Sequence, residues 1–146
     1  MKLRVAWIGK TKEPAYQALT NEYLKRISYF TTIDPQEFSN EVTLLKSISK
    51  QVPKPFLVLL DSRGKQFSSE ELAAYLEDQQ DRGLGQILFA IGPSDGFSEE
   101  AIALADLKLS FGKMTFAHEL ARVVLLEQLY RAFTIIKKHP YHLGHK

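Results

Sequence analysis

The chain has 146 residues, 45% of them apolar and 25% charged, with a formal net charge of +2 and no cysteine. That length suits one domain with a real core rather than two, and the composition is that of a globular protein, not a disordered tract. Without cysteine there is no disulfide framework, no thiol catalysis and no Cys-based zinc site, which agrees with an expected cytoplasmic location.

In chain order, residues 3–8 (LRVAWI) predict a first strand, and the opening MKLRVAWIGK turns polar too soon for a secretory signal. Residues 14–30 predict a helix, with Pro14 in its first turn and Ala15, Leu19, Tyr23, Ile27 and Phe30 on one stripe. Residues 31–38 predict a strand that Asp34-Pro35 either interrupts or confines to a sheet edge. A weak helix signal covers 40–50. Residues 56–60 (FLVLL) and 86–91 (QILFAI) are short continuous apolar runs, as expected of strands buried on both faces. Between them, Ser68 or Ser69 followed by Glu70 and Glu71 reads as a capped helix start running to about residue 81. Ser98-Glu99-Glu100 opens a short helix to about Leu104, and residues 107–110 predict a short strand. A last helix is expected from about Thr115 to Lys138. No apolar run, including Val123 to Leu126, is long enough to span a bilayer.

Alternating strands and helices argue for a single α/β domain over residues 1–146, with a mostly parallel sheet and helices on both faces. In such sheets ligands bind at the carboxyl ends of the strands. Those ends carry Asp61-Ser62-Arg63-Gly64, Gly92-Pro93-Ser94-Asp95-Gly96 and Phe111-Gly112-Lys113-Met114-Thr115.

Several common site chemistries are missing. GKTK at residues 9–12 has the ending of a phosphate-binding loop, but Arg4 stands where the first glycine of that motif belongs. No G-x-G-x-x-G follows a strand, and no G-x-S-x-G occurs. His139, His142 and His145 are spaced by three but have no acidic companion, so no metal site is expected. Residues 107–146 hold seven Lys/Arg against two acids, whereas residues 1–106 hold twelve against fifteen. This basic segment suits an anionic partner docking near the C-terminus, or a solvated helix end.

The last helix is the most informative. Phe116, Leu120, Val123, Val124, Leu129, Tyr130, Phe133 and Ile136 recur at helical spacing, and the stretch around Val123–Leu126 is apolar almost all round. A helix buried on more than one side, in so short a chain, points to a second subunit. His118 and Arg122 share a face, as do Glu127 and Arg131, the latter in the favourable order for an ion pair. His118 in the first turn is placed where the helix dipole favours a neutral ring, able to act as a base or as a hydrogen-bonded cap.

LSFGKMTFAHELARVVLLEQLYRAFTIIKKHPYH closely resembles the C-terminal signature of the RlmH family, SPOUT methyltransferases that modify N3 of a pseudouridine in large-subunit (23S) ribosomal RNA. The stretches VAWIGKTKEPAYQALTNEYLKRI, LVLLDSRGKQFSSEELA and FAIGPSDGFS fall in the same family order, so the resemblance spans the chain. It implies a deep trefoil knot, a homodimer, and S-adenosylmethionine as methyl donor. By position, the implied cofactor contacts are Leu60, Gly92 and the loop Phe111, Gly112, Lys113, Met114, Thr115 and Phe116. The sulfonium cofactor carries no phosphate, in keeping with the missing phosphate loops.

The resemblance makes His118, Tyr141 and His142 candidates for positioning or deprotonating N3. The C-terminal tail bearing Tyr141 and His142 resembles a lid that reaches toward a dimer interface. Arg122, Arg131, Lys137 and Lys138 are implied phosphate contacts or, for the two arginines, site organisers. The chain departs from the family at Pro93, where a second glycine is usual, at Ala117 for proline, and at Gly112, often serine. Its segment around residues 40–52 is shorter, and Leu143–Lys146 extends a tail that usually ends at the Tyr-His pair. A methyltransferase for another RNA and a non-catalytic RNA- or ribosome-binding protein are the alternatives.

Overall fold

The computed structural model describes residues 1–93 and 95–143. Strands and helices alternate as β1 (Lys2–Ile8), α1 (Pro14–Ser28), β2 (Ile33–Phe38), α2 (Glu41–Ser49), β3 (Phe56–Gln66), α3 (Ser69–Asp81), β4 (Gln86–Ile91), α4 (Glu99–Leu104), β5 (Leu107–Ser110) and α5 (His118–Ile136), followed by a 3₁₀ turn over Pro140–Leu143. The strands form one all-parallel sheet in the order β2-β1-β4-β3-β5. The three central strands are the apolar runs of the sequence, which can be buried on both faces only if helices cover both.

Alternation along each strand divides the core in two. Leu3, Val5 and Trp7 of β1, with Ile87, Phe89 and Ile91 of β4, pack beneath α1, α3 and α5. Ala6, Leu57, Leu59, Leu88 and Ala90 face the other way, against α2, α4 and Phe97. Local chemistry starts the helices. Asn40 caps α2 by accepting the Thr43 N–H at 2.9 Å. Ser68 and Glu71 form a reciprocal capping box on α3.

One expectation is settled and two are changed. β2 is an uninterrupted edge strand: it pairs only with β1, so the missing N–H of Pro35 costs no ladder bond. The expected strand 56–60 continues to Gln66 because its far half pairs with β5 after a register shift between Leu60 and Lys65. Gly64 makes that pairing possible, since a Cβ there would stand 2.6 Å from the carbonyl carbon and oxygen of Lys108. The last helix begins at His118 rather than Thr115, because Thr115–Ala117 belong to the loop from β5. Along α5, Leu125, Leu126 and Leu129 are buried in the core shared with the sheet, α1 and α3, Val123 is buried outside that cluster, and Val124 is half-buried. None of the helices is long and apolar enough to cross a membrane, among the described residues.

Candidate functional site

A partly open cleft of about 250 Å³ lies at the carboxyl ends of β4 and β5 and beside the middle of β3, where its register against β5 shifts. Three strands deliver its floor through Leu60, Ile91 and Leu109. Its walls come from the turn after β4 and the loop between β5 and α5. The expected Leu60, Gly92, Phe111, Gly112, Met114, Thr115 and Phe116 all line it, together with His118. Lys113 belongs to the same loop but is exposed and does not line the cleft.

Two points of the wall favour glycine. A Cβ at Gly92 would meet the ring of Phe97 at 3.0 to 3.1 Å. Gly112 adopts φ +119°, a backbone that side chains rarely take. The buried Ser110 hydroxyl holds that turn, accepting the Gly112 N–H and donating to the Gly112 carbonyl, both at 3.0 Å. Phe111 and Phe116 meet edge to face with centroids 6.0 Å apart. Met114 is 84% exposed at the mouth. After β4, Pro93 accepts the Gly96 N–H at 2.9 Å, closing a tight turn that includes Gly96 at φ +88°. Pro93 therefore takes part in the turn through its carbonyl. Ser94 lies outside the described residues.

Asp61 and Ser62 also line the cleft. The Asp61 carboxylate accepts from the Arg63 backbone N–H at 2.8 Å and from Nε and Nη2 of the same arginine at 3.0 and 2.9 Å. That fork holds the carboxyl below its ordinary pKa range. The sequence placed Asp61 at a strand end without giving it a part. The D-x-R spacing was the available signal, because it lets the arginine turn back on the carboxylate.

On the other side of the cleft, α5 opens without a side-chain cap, since Ala117 stands at its N-cap. His118 is exposed there. Glu119 points away, to the β1–α1 loop, accepting the Lys12 N–H at 2.8 Å and the Glu13 N–H at 3.1 Å. These bonds lower its carboxyl pKa, with a minor contribution from Arg122. Arg122 does not reach the cleft lining. It is 1% exposed, donates to the Ile8 carbonyl at 2.7 Å and to the Thr11 hydroxyl at 2.9 Å, and lies over the Trp7 ring at 5.4 Å. Burial pushes its pKa down, and Glu119 and Glu37 oppose that. Its position is that of an organiser of the loop and of the start of α5.

Tyr141, His142 and Arg131 form a separate group. The Tyr141 hydroxyl donates to Glu127 at 3.0 Å, and Arg131 pairs with Glu127 at 2.8 Å while lying over the Tyr141 ring at 5.1 Å. Tyr141 also packs edge-on against Tyr130, centroids 4.6 Å apart. Burial, then Tyr23 and Glu127, pushes its phenol well above the ordinary range, so it stays protonated at neutral pH. His142 turns a buried Nδ1 inward without a hydrogen-bond partner. Glu127 is nine residues from His118, about 13 Å along the helix and half a turn round it. Within one chain, then, the tail group and the cleft stand on opposite sides of α5. Lys137 and Lys138, at the far end of α5, are farther still. Among the described residues no cluster of three or more His, Asp or Glu side chains is placed to hold a metal ion, and His145 lies outside them.

A family model described as "Predicted SPOUT methyltransferase" matches residues 1–142. The chain belongs to the SPOUT methyltransferase family. Over 148 aligned residues it is 57% identical to "Ribosomal RNA large subunit methyltransferase H" of Koribacter versatilis, covering 99% of this chain and 100% of that protein. Among solved structures it resembles a probable methylase family protein from Haemophilus influenzae Rd KW20, with TM-score 0.60, 11% identity, and coverage of 97% of this chain and 69% of that one. It also resembles the SpoU methyltransferase AviRb from Streptomyces viridochromogenes, solved with AdoMet, with TM-score 0.53, 11% identity, and coverage of 89% and 57%. At such identities these two likenesses speak to the fold alone.

Proposed function

We propose that this SPOUT family member is a methyltransferase that uses S-adenosylmethionine to methylate N3 of a pseudouridine in large-subunit (23S) ribosomal RNA, on the assembled ribosome in the cytoplasm. Methyl transfer to large-subunit ribosomal RNA rests on full-length likeness to a protein of that name. The observation that carries the cofactor assignment is the cleft itself. Residues expected from strand ends and from the resemblance, scattered from Leu60 to Phe116, line one cavity at the sheet's carboxyl edge, Lys113 excepted.

The lining fits that cofactor. Leu60, Ile91, Leu109 and the Phe111–Phe116 pair offer an apolar slot for an adenine, and the glycines at 92 and 112 let backbone come close. The bound sulfonium supplies the methyl group. The chain's own work is to orient the acceptor and manage its proton. N3 of pseudouridine is an imide nitrogen that is protonated at neutral pH. His118 is the titratable imidazole that lines the cleft, so it is our candidate to accept or share that proton. Arg122 organises the start of α5 beneath His118.

The tail serves the cleft of a second copy in this reading. Tyr141 and His142 are held away from their own cleft by α5, and a homodimer brings each tail to its neighbour. The deep trefoil knot, rare among folds, and a single domain over residues 1–146 belong to the same proposal.

Titration calorimetry with S-adenosylmethionine tests the cofactor step, and mass spectrometry of ribosomal RNA from a deletion strain tests the substrate. Saturable binding to the parent is expected, with loss in Gly92→Val. An undiminished N3-methylpseudouridine level in the deletion strain would sink the substrate assignment. Absence of cofactor binding would turn the reading toward a ribosome-binding protein.

A further inference from the structure

The GKTK loop lacks the first glycine of a phosphate-binding motif, yet the fold fixes it by several hydrogen bonds. Gly9 takes φ +86°, and its N–H is bonded to the Phe38 carbonyl at 2.8 Å. Arg122, one of the largest fully buried side chains, reaches from α5 to the loop's start at Ile8 and to its middle at Thr11. Glu119 takes the next two N–H groups, of Lys12 and Glu13. All four bonds come from the first two turns of α5, beside His118 and the cleft. The loop's two lysines are left pointing to solvent: Lys10 and Lys12 are exposed and make no ion pair among the described residues. Of the carboxylates at this loop, Glu119 is occupied by backbone N–H groups, while Glu13 accepts from Ala15 as the cap of α1.

We propose that Lys10 and Lys12 are contacts for the phosphate backbone of the RNA next to the modified nucleotide, and that Arg122 and Glu119 are positioning residues that set this loop. The inference rests on the RNA-methyltransferase reading of the adjacent cleft. It moves the phosphate contacts from the expected Lys137 and Lys138, at the far end of α5, to a loop tied to the helix turn that carries His118. Phosphate contacts position a nucleic acid without reading its sequence. A loop held by four hydrogen bonds loses little freedom when it binds, so the ordering cost is met at folding.

The test compares the parent, Lys10→Ala/Lys12→Ala, Lys10→Arg/Lys12→Arg and Glu119→Ala, using large ribosomal subunits from a strain lacking this methyltransferase. The double alanine variant should raise KM for the subunits about tenfold or more, with cofactor affinity by calorimetry and thermal midpoint unchanged. Its plot of log kcat/KM against log salt should be shallower by about 1.5, the loss of two phosphate contacts. The arginine pair should restore both. Glu119→Ala separates positioning from charge, because it removes a negative charge beside the loop. Electrostatics alone would lower KM, whereas loss of positioning raises it, with cofactor affinity kept. A double alanine variant with parental KM and salt slope overturns the inference. A parent that does not methylate the subunits overturns the underlying reading instead.

Discussion

Arg122 shows how a residue can matter to a site without entering it. Replacing it with methionine removes the cost of burying a charge but also two charge-assisted hydrogen bonds, and strands the Ile8 carbonyl. Such bonds contribute about 1.5–3 kcal/mol each, so a net loss of about 1–3 kcal/mol is expected for Arg122→Met, read as a lower urea midpoint. Asp61 gives a pH signature. Its folded pKa is depressed, so its contribution is fully present above the unfolded carboxyl pKa, about 3.9, and fades as pH falls through that value and the lower folded one. The stability difference between the parent and Asp61→Asn should therefore be constant from neutral pH down to about 5 and shrink below about 4. A difference that grows on acidification would show that the arginine fork does not favour the ionised carboxyl. At this scale the sequence was uneven. Apolar and glycine positions of the cleft were readable from strand ends and resemblance. The direction in which Arg122 and Glu119 point was not, because helical spacing gives a face but not what another part of the chain places against it.

Among the elements, β3 departs furthest from its sequence pattern. FLVLL predicts a buried strand of five residues, but DSRGKQ looks like a polar turn and continues as strand. The decisive partner, β5, is more than forty residues away, and local pattern carries no register information. Gly64 is the enabling residue. Gly64→Ala should force β3 and β5 apart and cost about 2–3 kcal/mol, seen as a drop in thermal midpoint, since the clash is with backbone. As Leu60 and Leu109 pair on the near side of that shift, cofactor affinity should fall with it. The helices were legible in existence and approximate extent because caps and apolar spacing are local. The beginning of α5 was misplaced by three residues, since Ala117 provides no capping side chain to mark it.

For the molecule as a whole, α5 sets a division of labour. It carries the cleft's His118 at one end, and past its other end the chain folds back to dock Tyr141 on Glu127. If the tail completes a second copy's cleft, Gly92→Val and His142→Ala should each be inactive alone and recover on mixing after subunit exchange. The expected recovery is about a quarter of parental activity, because half the dimers are mixed and each has one intact site. No recovery would place cleft and tail in the same chain's site. The parallel topology was legible from alternation, whereas pairing order and the tail's docking were not, since both depend on contacts between distant residues. One such contact also orders events in time. The loop at residues 9–13 is synthesised well before its fasteners, since Glu119 and Arg122 lie more than a hundred residues later. At synthesis rates of about 5–20 residues per second, that loop waits roughly 5 to 20 seconds for them. A nascent chain halted before α5 would already hold every glycine of the cleft wall and still lack the clasp that sets the loop.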